Sequence, residues 1–269
     1  MDYSHETSLL AKALWAAALV LGISAIAERV STRVAGILSG APLNTVIVFF
    51  FVGHDMGTDY VVQSIPYGIA SLTATLAFLF AYYRASLLLT RYAVLGSCVI
   101  ASAAFIAIAL LLVSIPFTLL GAAALSLSAI LLALRVFRTI DIAAVQKPVR
   151  YTAKLLLLRG GFAMFLVVSI ITLAETLGTR WTGLLIGFPA VMLPTLVIIH
   201  HSYGAASTHA MIRSFPLGVG SIILYTLSVP ITFPLWGVLG GSAASLAIAL
   251  TYLSAVTIGS KTRPPRVAS

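Results

Sequence analysis

The chain has 269 residues, 60% of them hydrophobic and 9% charged, and a formal net charge of +9. A soluble domain carries about 25% charged residues, so these proportions exclude a soluble domain of useful size and predict an all-α polytopic membrane protein. The basic excess is what cytoplasmic loops of such a protein carry, and no folded basic module is present to give it a nucleic-acid partner.

Apolar runs near bilayer-spanning length predict nine transmembrane helices, at roughly 9–27, 34–53, 61–83, 92–113, 116–135, 155–174, 181–200, 207–229 and 236–257. The first run ends in "ISAIAE", which imitates the A-x-A end of a secretory signal. Asp2 and Glu6 make the leader acidic, and the segment returns later in the chain, so a retained helix is expected. The run from Tyr92 to Leu134 is too long for one crossing, and "SIPFT" (Ser114 to Thr118) supplies a break, with Pro116 as turn former. The single cysteine, Cys98, lies within a span and has no partner for a disulfide.

With the N-terminus outside, fourteen of the sixteen lysines and arginines fall on the inner side and only Lys12 and Arg180 on the outer. Asp55 and Asp59 fall in the outer loop after the second span. This bias predicts an inner (plasma) membrane protein of a bacterium, N-terminus outside and C-terminus cytoplasmic.

The phrase "AERVSTRVAGILSGAP" (Ala27 to Pro42) returns as "AETLGTRWTGLLIGFP" (Ala174 to Pro189), with eight of sixteen positions identical at an offset of 147. Chance gives about one. His54 and Gly57 match His201 and Gly204 at the same offset, after which "SIPYGIASL" (Ser64 to Leu72) pairs with "SFPLGVGSI" (Ser214 to Ile222) at 150. The offset covers five spans, and an odd number inverts the second copy. The expected organisation is a first repeat at 1–135 (four spans and an extra fifth), a basic cytoplasmic linker at 136–154, an inverted second repeat of four spans at 155–258, and a basic tail at 259–269. Inverted repeats are a common plan of secondary transporters, which bind at broken helices near the bilayer midplane. They also build channels and membrane enzymes.

The repeated residues supply the candidate site. Gly36 and Gly40, like Gly183 and Gly187, sit at i and i+4, a spacing that lets backbones approach. Pro42 and Pro189 each lack an N–H and oppose the carbonyl four residues back, so the carbonyls of Leu38 and Leu185 are expected to be free for a donor, a water or a substrate. The helix breaks at Gly40, Pro42, Gly187 and Pro189, with Asn44, Thr45 and Thr195 beside them, are expected to line the site. Ser64-x-Pro66-x-Gly68 and Ser214-x-Pro216-x-Gly218 read as a cap and a first-turn proline starting the third and eighth spans. Their helix N-termini either merely start those spans or face a cavity and hold an anion, with Gln63, Tyr67 and Arg213 beside it. Glu28 and Glu175, with Arg33 and Arg180, form either interfacial ion pairs or gating carboxylates that couple transport to protons.

Histidines 54, 200, 201 and 209 fall on two faces, and the adjacent pair points apart on a helix. No metal, cofactor or catalytic residue is expected, and no nucleotide loop, HExxH or G-x-S-x-G is present.

The segment from Thr179 to Tyr225 resembles the short GlpM-type bacterial inner-membrane proteins: Arg180, Gly183 three residues on, Pro189, then a histidine and a glycine (His201, Gly204) and a Pro- and Gly-containing next span. That family is linked by name to alginate production. The whole chain is also similar to duplicated bacterial membrane proteins bearing A-E-x-x-G-x-x-x-G-G-x-x-x-x-x-P, from which it departs at Ser31 and in keeping only Gly36 or Gly183 of the glycine pair. The five-plus-four span plan resembles the inverted repeats of drug/metabolite transporters. The expected function is therefore a secondary transporter of a small polar metabolite, not an enzyme, with proton coupling as one option. Its partners would be the lipid bilayer and the solute, with a homodimer left open. The alternatives are an accessory membrane protein for cell-envelope or exopolysaccharide synthesis and a lipid-carrier flippase.

Overall fold

The computed structural model describes residue 37, residues 40–140 and residues 153–261, and these are mainly helical, with no strand among them. Six elements follow in order: α1 (Leu43–Met56), α2 (Thr58–Leu88), α3 (Ala93–Val113), α4 (Leu119–Phe137), α5 (Ala153–Ile186) and α6 (Met192–Lys261). Four helices, α2, α3, α4 and α6, are long and apolar enough to cross a membrane. Glu28, Arg33, Gly36 and Leu38 lie outside the described residues.

Glycines articulate the long elements. α5 bends at Gly178 (φ 76°), and α6 bends at Gly204 (φ 81°) and Gly237 (φ 67°). Gly57, between α1 and α2, has φ 88° and ψ 163°, close to the 81° and 173° of Gly204, its partner at the offset of 147. With positive φ and extended ψ, this conformation is one that essentially only glycine adopts. The chain therefore turns at corresponding points of the two repeated stretches.

α2 is the centre of the bundle and touches every other described helix. Its side chains from Ile65 to Tyr82 are largely buried, in two continuous apolar clusters. α3 and α4 are buried along one edge only, through Ala101, Phe105 and Ala109 on α3 and Ala122, Ile130 and Ala133 on α4. Their outer faces carry exposed Leu95, Val99, Ile106, Leu110, Leu120, Leu127 and Leu131, the surface that lipid covers in a membrane helix. The break between them falls at the expected "SIPFT": α3 ends at Val113, and the Thr118 hydroxyl accepts the Gly121 N–H at 3.1 Å to cap α4.

Two expectations are corrected. Ser64 and Pro66 do not open a span, nor do Ser214 and Pro216. α2 starts at Thr58 and passes through Pro66, and Pro216 lies inside the segment 205–236 of α6. The serine hydroxyls bond back within their own helices, Ser64 to the Val61 carbonyl (2.7 Å) and Ser214 to the Ala210 carbonyl (3.0 Å), rather than capping an N-terminus. The glycines at 57 and 204 end the preceding helices earlier than the prolines do.

Candidate functional site

The two Gly-x-Pro phrases fold alike. Three backbone hydrogen bonds recur at the offset of 147: Gly40 N–H to Ile37 O (3.0 Å) and Gly187 N–H to Leu184 O (3.2 Å); Leu43 to Ala41 (2.8 Å) and Ala190 to Phe188 (2.7 Å); Val46 to Pro42 (2.8 Å) and Leu193 to Pro189 (2.8 Å). Each phrase interrupts its helix for a few residues, and each proline then restarts it from a position where a missing N–H costs nothing. At 14 residues α1 is about 21 Å long, so it reaches only part of the way across a bilayer.

The broken stretches cross intact helices of the other half, and the crossings correspond. Gly40 packs on Gly218: a Cβ on Gly40 would stand 2.7 Å from the Gly218 Cα, and one on Gly218 would stand 3.1 Å from the Gly40 Cα. Gly187 packs on Ser71, where a Cβ would meet the serine Cβ at 2.5 Å. Gly183 packs against Tyr67 and the Gly68 N–H, at 2.7 and 2.8 Å from an added Cβ. Gly68 and Ser71 match Gly218 and Ser221 in sequence. Small residues at all these points bring backbone against backbone. The stretches around Gly40, Gly68, Gly183, Gly187 and Gly218 thus meet in close backbone contact.

Backbone oxygens freed by the breaks are met by side chains from across the seam. Ser221 Oγ donates to Gly40 O at 2.6 Å, Thr75 Oγ1 to Gly187 O at 2.6 Å, and Asn44 Nδ2 to Ile186 O at 2.8 Å. An unpaired carbonyl in an apolar layer costs several kcal/mol in order of magnitude, so these three donors hold the crossing together. The expected free carbonyl at Leu185 is not found: it accepts the Phe188 N–H at 3.0 Å because the chain tightens by one residue before the proline. The carbonyls one and two residues later are the ones offered across the seam.

Asn44 is the least satisfied group there. A carbonyl oxygen can only accept, so the amide nitrogen must face Ile186. Its Oδ1 is buried with no hydrogen-bond partner among the described residues. At the offset of 147 the matching residue is Val191, so the second break has no such amide.

The other expected site residues divide. Thr45 and Thr195 are buried in the seam, and Thr195 bonds back to Val191 O at 2.8 Å. Gln63 is exposed and does not face the crossing. Arg213 points away from the Ser214 turn and donates from Nη1 to Ile140 O at 2.6 Å, tying α6 to the end of α4. Tyr67 is buried, its hydroxyl on Ile115 O at 3.2 Å, with the Arg180 guanidinium 5.6 Å above its ring. Arg180 also donates to Val113 O at 3.2 Å. Arg180 therefore fastens the α3–α4 turn. The Glu175 backbone lies within α5, and its side chain lies outside what is described.

Contacts also distinguish two ends of the bundle. One holds His54, hydrogen-bonded to Asp55 at 3.0 Å, and Tyr60, which bonds Ala174 O at 2.5 Å and Thr182 at 3.1 Å. The other holds Arg213 against Ile140 and two histidine–hydroxyl pairs, Tyr82 with His200 (3.0 Å) and Ser86 with His209 (2.7 Å). Arg84 lies near the end of α2, Arg91 in the loop that follows it, and Arg135 and Arg138 at the end of α4, all at this basic end. The expectation that His54 and the pair His200/His209 fall at opposite ends agrees with this arrangement. Among the described residues no group of three His, Cys, Asp or Glu side chains is placed to hold a metal ion.

These features describe an all-helical bundle with helices able to cross a membrane and a polar crossing buried within it. Comparison with protein-family models, with curated proteins and with solved structures returns no match.

Proposed function

We propose that the chain is a secondary transporter of a small polar solute, working by alternating access between two inverted repeats in a bacterial inner membrane. The observation that carries this reading is the buried, unpaired Oδ1 of Asn44 beside two corresponding helix breaks. Nearly every buried polar atom in a folded protein has a partner, so an orphan acceptor at such a crossing calls for a donor from outside the chain. A hydroxyl or amine of a small solute supplies one. The corresponding breaks support nine spans in a five-plus-four inverted plan, because broken helices at equivalent points of two halves are how such carriers build a central site. The basic end, with Arg84, Arg91, Arg135, Arg138 and Arg213, is then the cytoplasmic one.

The test is solute counterflow into proteoliposomes, run with a panel of labelled sugars, polyols, amino acids and organic acids. At least one is expected to enter faster than into empty liposomes. Asn44→Val, which gives the first break the residue of the second, is expected to abolish that flux while the purified protein stays monodisperse. A panel that moves no faster than leak, or a flux untouched by Asn44→Val, would overturn the proposal.

A further inference from the structure

The buried ionisable groups at the basic end have no part in the crossing, yet they are arranged across a hinge. Tyr82 is fully buried, and its hydroxyl meets His200 Nδ1 at 3.0 Å. One turn on, Ser86 meets His209 Nε2 at 2.7 Å, and the Tyr83 ring stands edge-on to His209 at 4.8 Å. His200 and His209 lie on opposite sides of Gly204, where φ is +81°. The two pairs therefore fasten two segments of α6, 192–203 and 205–236, to one continuous helix, α2.

One neutral protonation pattern satisfies both pairs. When the Ser86 proton is given to Tyr83 O at 2.8 Å, the Ser86 oxygen accepts from His209, whose Nε2 then carries the hydrogen. The Tyr82 hydroxyl is in reach of a bare Nδ1 on His200, which is its natural acceptor. In this state both imidazoles are neutral and both hydroxyls are satisfied. A proton added to His200 turns Nδ1 into a donor and leaves the buried Tyr82 hydrogen without an acceptor. A proton added to His209 puts a charge at a site only 7% exposed, which is expensive unless it is paired.

No acid at this end relieves that cost among the described residues. The groups around the pair are Tyr82 and Tyr83 on α2, Cys98 on α3 beside Tyr82, and the two imidazoles with Arg213 on α6. Arg84 and His201 are exposed, and Asp141 lies outside the described residues. Among the described residues any added charge faces only neutral or positive neighbours, and separation of α6 from α2 would return it to water.

We infer that His200 and His209 form a proton-binding site that latches the basic end shut when neutral and releases it, about the Gly204 hinge, when protonated. This gives the proposed carrier a coupling site on residues distinct from Glu28 and Glu175. Its purpose rests on the transporter reading, but its existence does not.

The test measures distance without any solute. In a Cys98→Ser background, spin labels at Leu88→Cys and Ser202→Cys, both exposed positions, report the α2–α6 separation in full-length protein in lipid nanodiscs. One short distance is expected at about pH 8, with a second, longer population growing toward about pH 5, across the histidine range. His200→Gln with His209→Gln is expected to remove the pH dependence. Tyr82→Phe with Ser86→Ala, which keeps both imidazoles but deletes their partners, is expected to show the long population already at about pH 8. Identical distributions at both pH values in the otherwise native chain, or a pH shift that survives loss of both histidines, would overturn the inference. A chain that moves no solute yet still opens with acid would sink the transporter reading and leave the latch standing.

Discussion

Placing a methyl group at Gly218 tests the crossing most directly. A Cβ there would be driven into the Ile37 carbonyl, at 3.0 Å from its carbon and closer still to its oxygen, and would stand 3.1 Å from the Gly40 Cα. All of these are backbone atoms of a broken stretch, so no flexible side chain can move aside. Gly218→Ala gains roughly 0.5–1 kcal/mol of helix propensity. Against this stands an overpacking cost of about 1–3 kcal/mol. Displacing Gly40 also stretches the 2.6 Å bond from Ser221, which adds about 1 kcal/mol. The clash wins, and a net destabilisation of about 1–3 kcal/mol is expected. Gly161 provides the internal control: it is helical, an added Cβ meets nothing within 4 Å, and the same substitution there is expected to be neutral or stabilising by up to about 1 kcal/mol. Equilibrium unfolding in mixed micelles, with denaturing detergent as the variable, reads both. Equal stability of Gly218→Ala and the unaltered protein would mean that the backbones do not touch, and the close crossing would have to be given up.

Gly57→Ala and Gly204→Ala meet open space, so the same unfolding assay should register strain alone, about 1–3 kcal/mol each and similar in size; a silent substitution at either would show that the positive φ is not needed. Ser221→Ala and Thr75→Ala each leave a buried carbonyl without its donor and are expected to cost about 1–3 kcal/mol. Their double-mutant cycle should close to within about 0.5 kcal/mol if the two crossings are separate contacts, and a large coupling term would contradict that. Arg180→Lys keeps the charge but loses the flat group lying over Tyr67. Faster proteolysis in the α3–α4 turn of that variant is expected, and an unchanged cleavage rate would free Arg180 from its fastening role.

The all-helical, membrane-type character and the close approach at Gly40 and Gly187 were legible in the residues because they depend on hydropathy and on the size of side chains. Gly40, Gly187 and the prolines two residues later mark the breaks in any reading that aligns the two phrases. What each break does with its carbonyls was not legible. The expected orphan, Leu185, is satisfied locally, and the oxygens at Ile186 and Gly187 are offered instead, because the turn before Pro189 tightens by one residue. Helix starts were misplaced for a related reason. Ser64-x-Pro66 has the composition of an N-terminus, but Gly57 already supplies the turn, and a proline within a long apolar helix is tolerated where neighbours compensate. Thr75 and Ser221 were missed as donors because a hydroxyl in an apolar helix normally bonds back to its own turn, and only the fold shows which of them reach across.

The two halves agree in backbone and differ in polar side chains, and the difference is where function should reside. Gly40 and Gly187, Gly57 and Gly204, and Ser71 and Ser221 keep the crossing and the hinges alike in both halves. Symmetric scaffolding of this kind lets one arrangement exchange for its mirror at low cost, which alternating access requires. Asn44 is matched by Val191, and His200 by Gly53, in the other half. A solute held by one amide and a latch present at one end would make two otherwise equivalent states unequal. A ligand shifts a two-state equilibrium only by its differential affinity for the two states, so a carrier with no such asymmetry would gain nothing from a proton. In the proposed carrier, Asn44 and the His200–His209 pair would supply it.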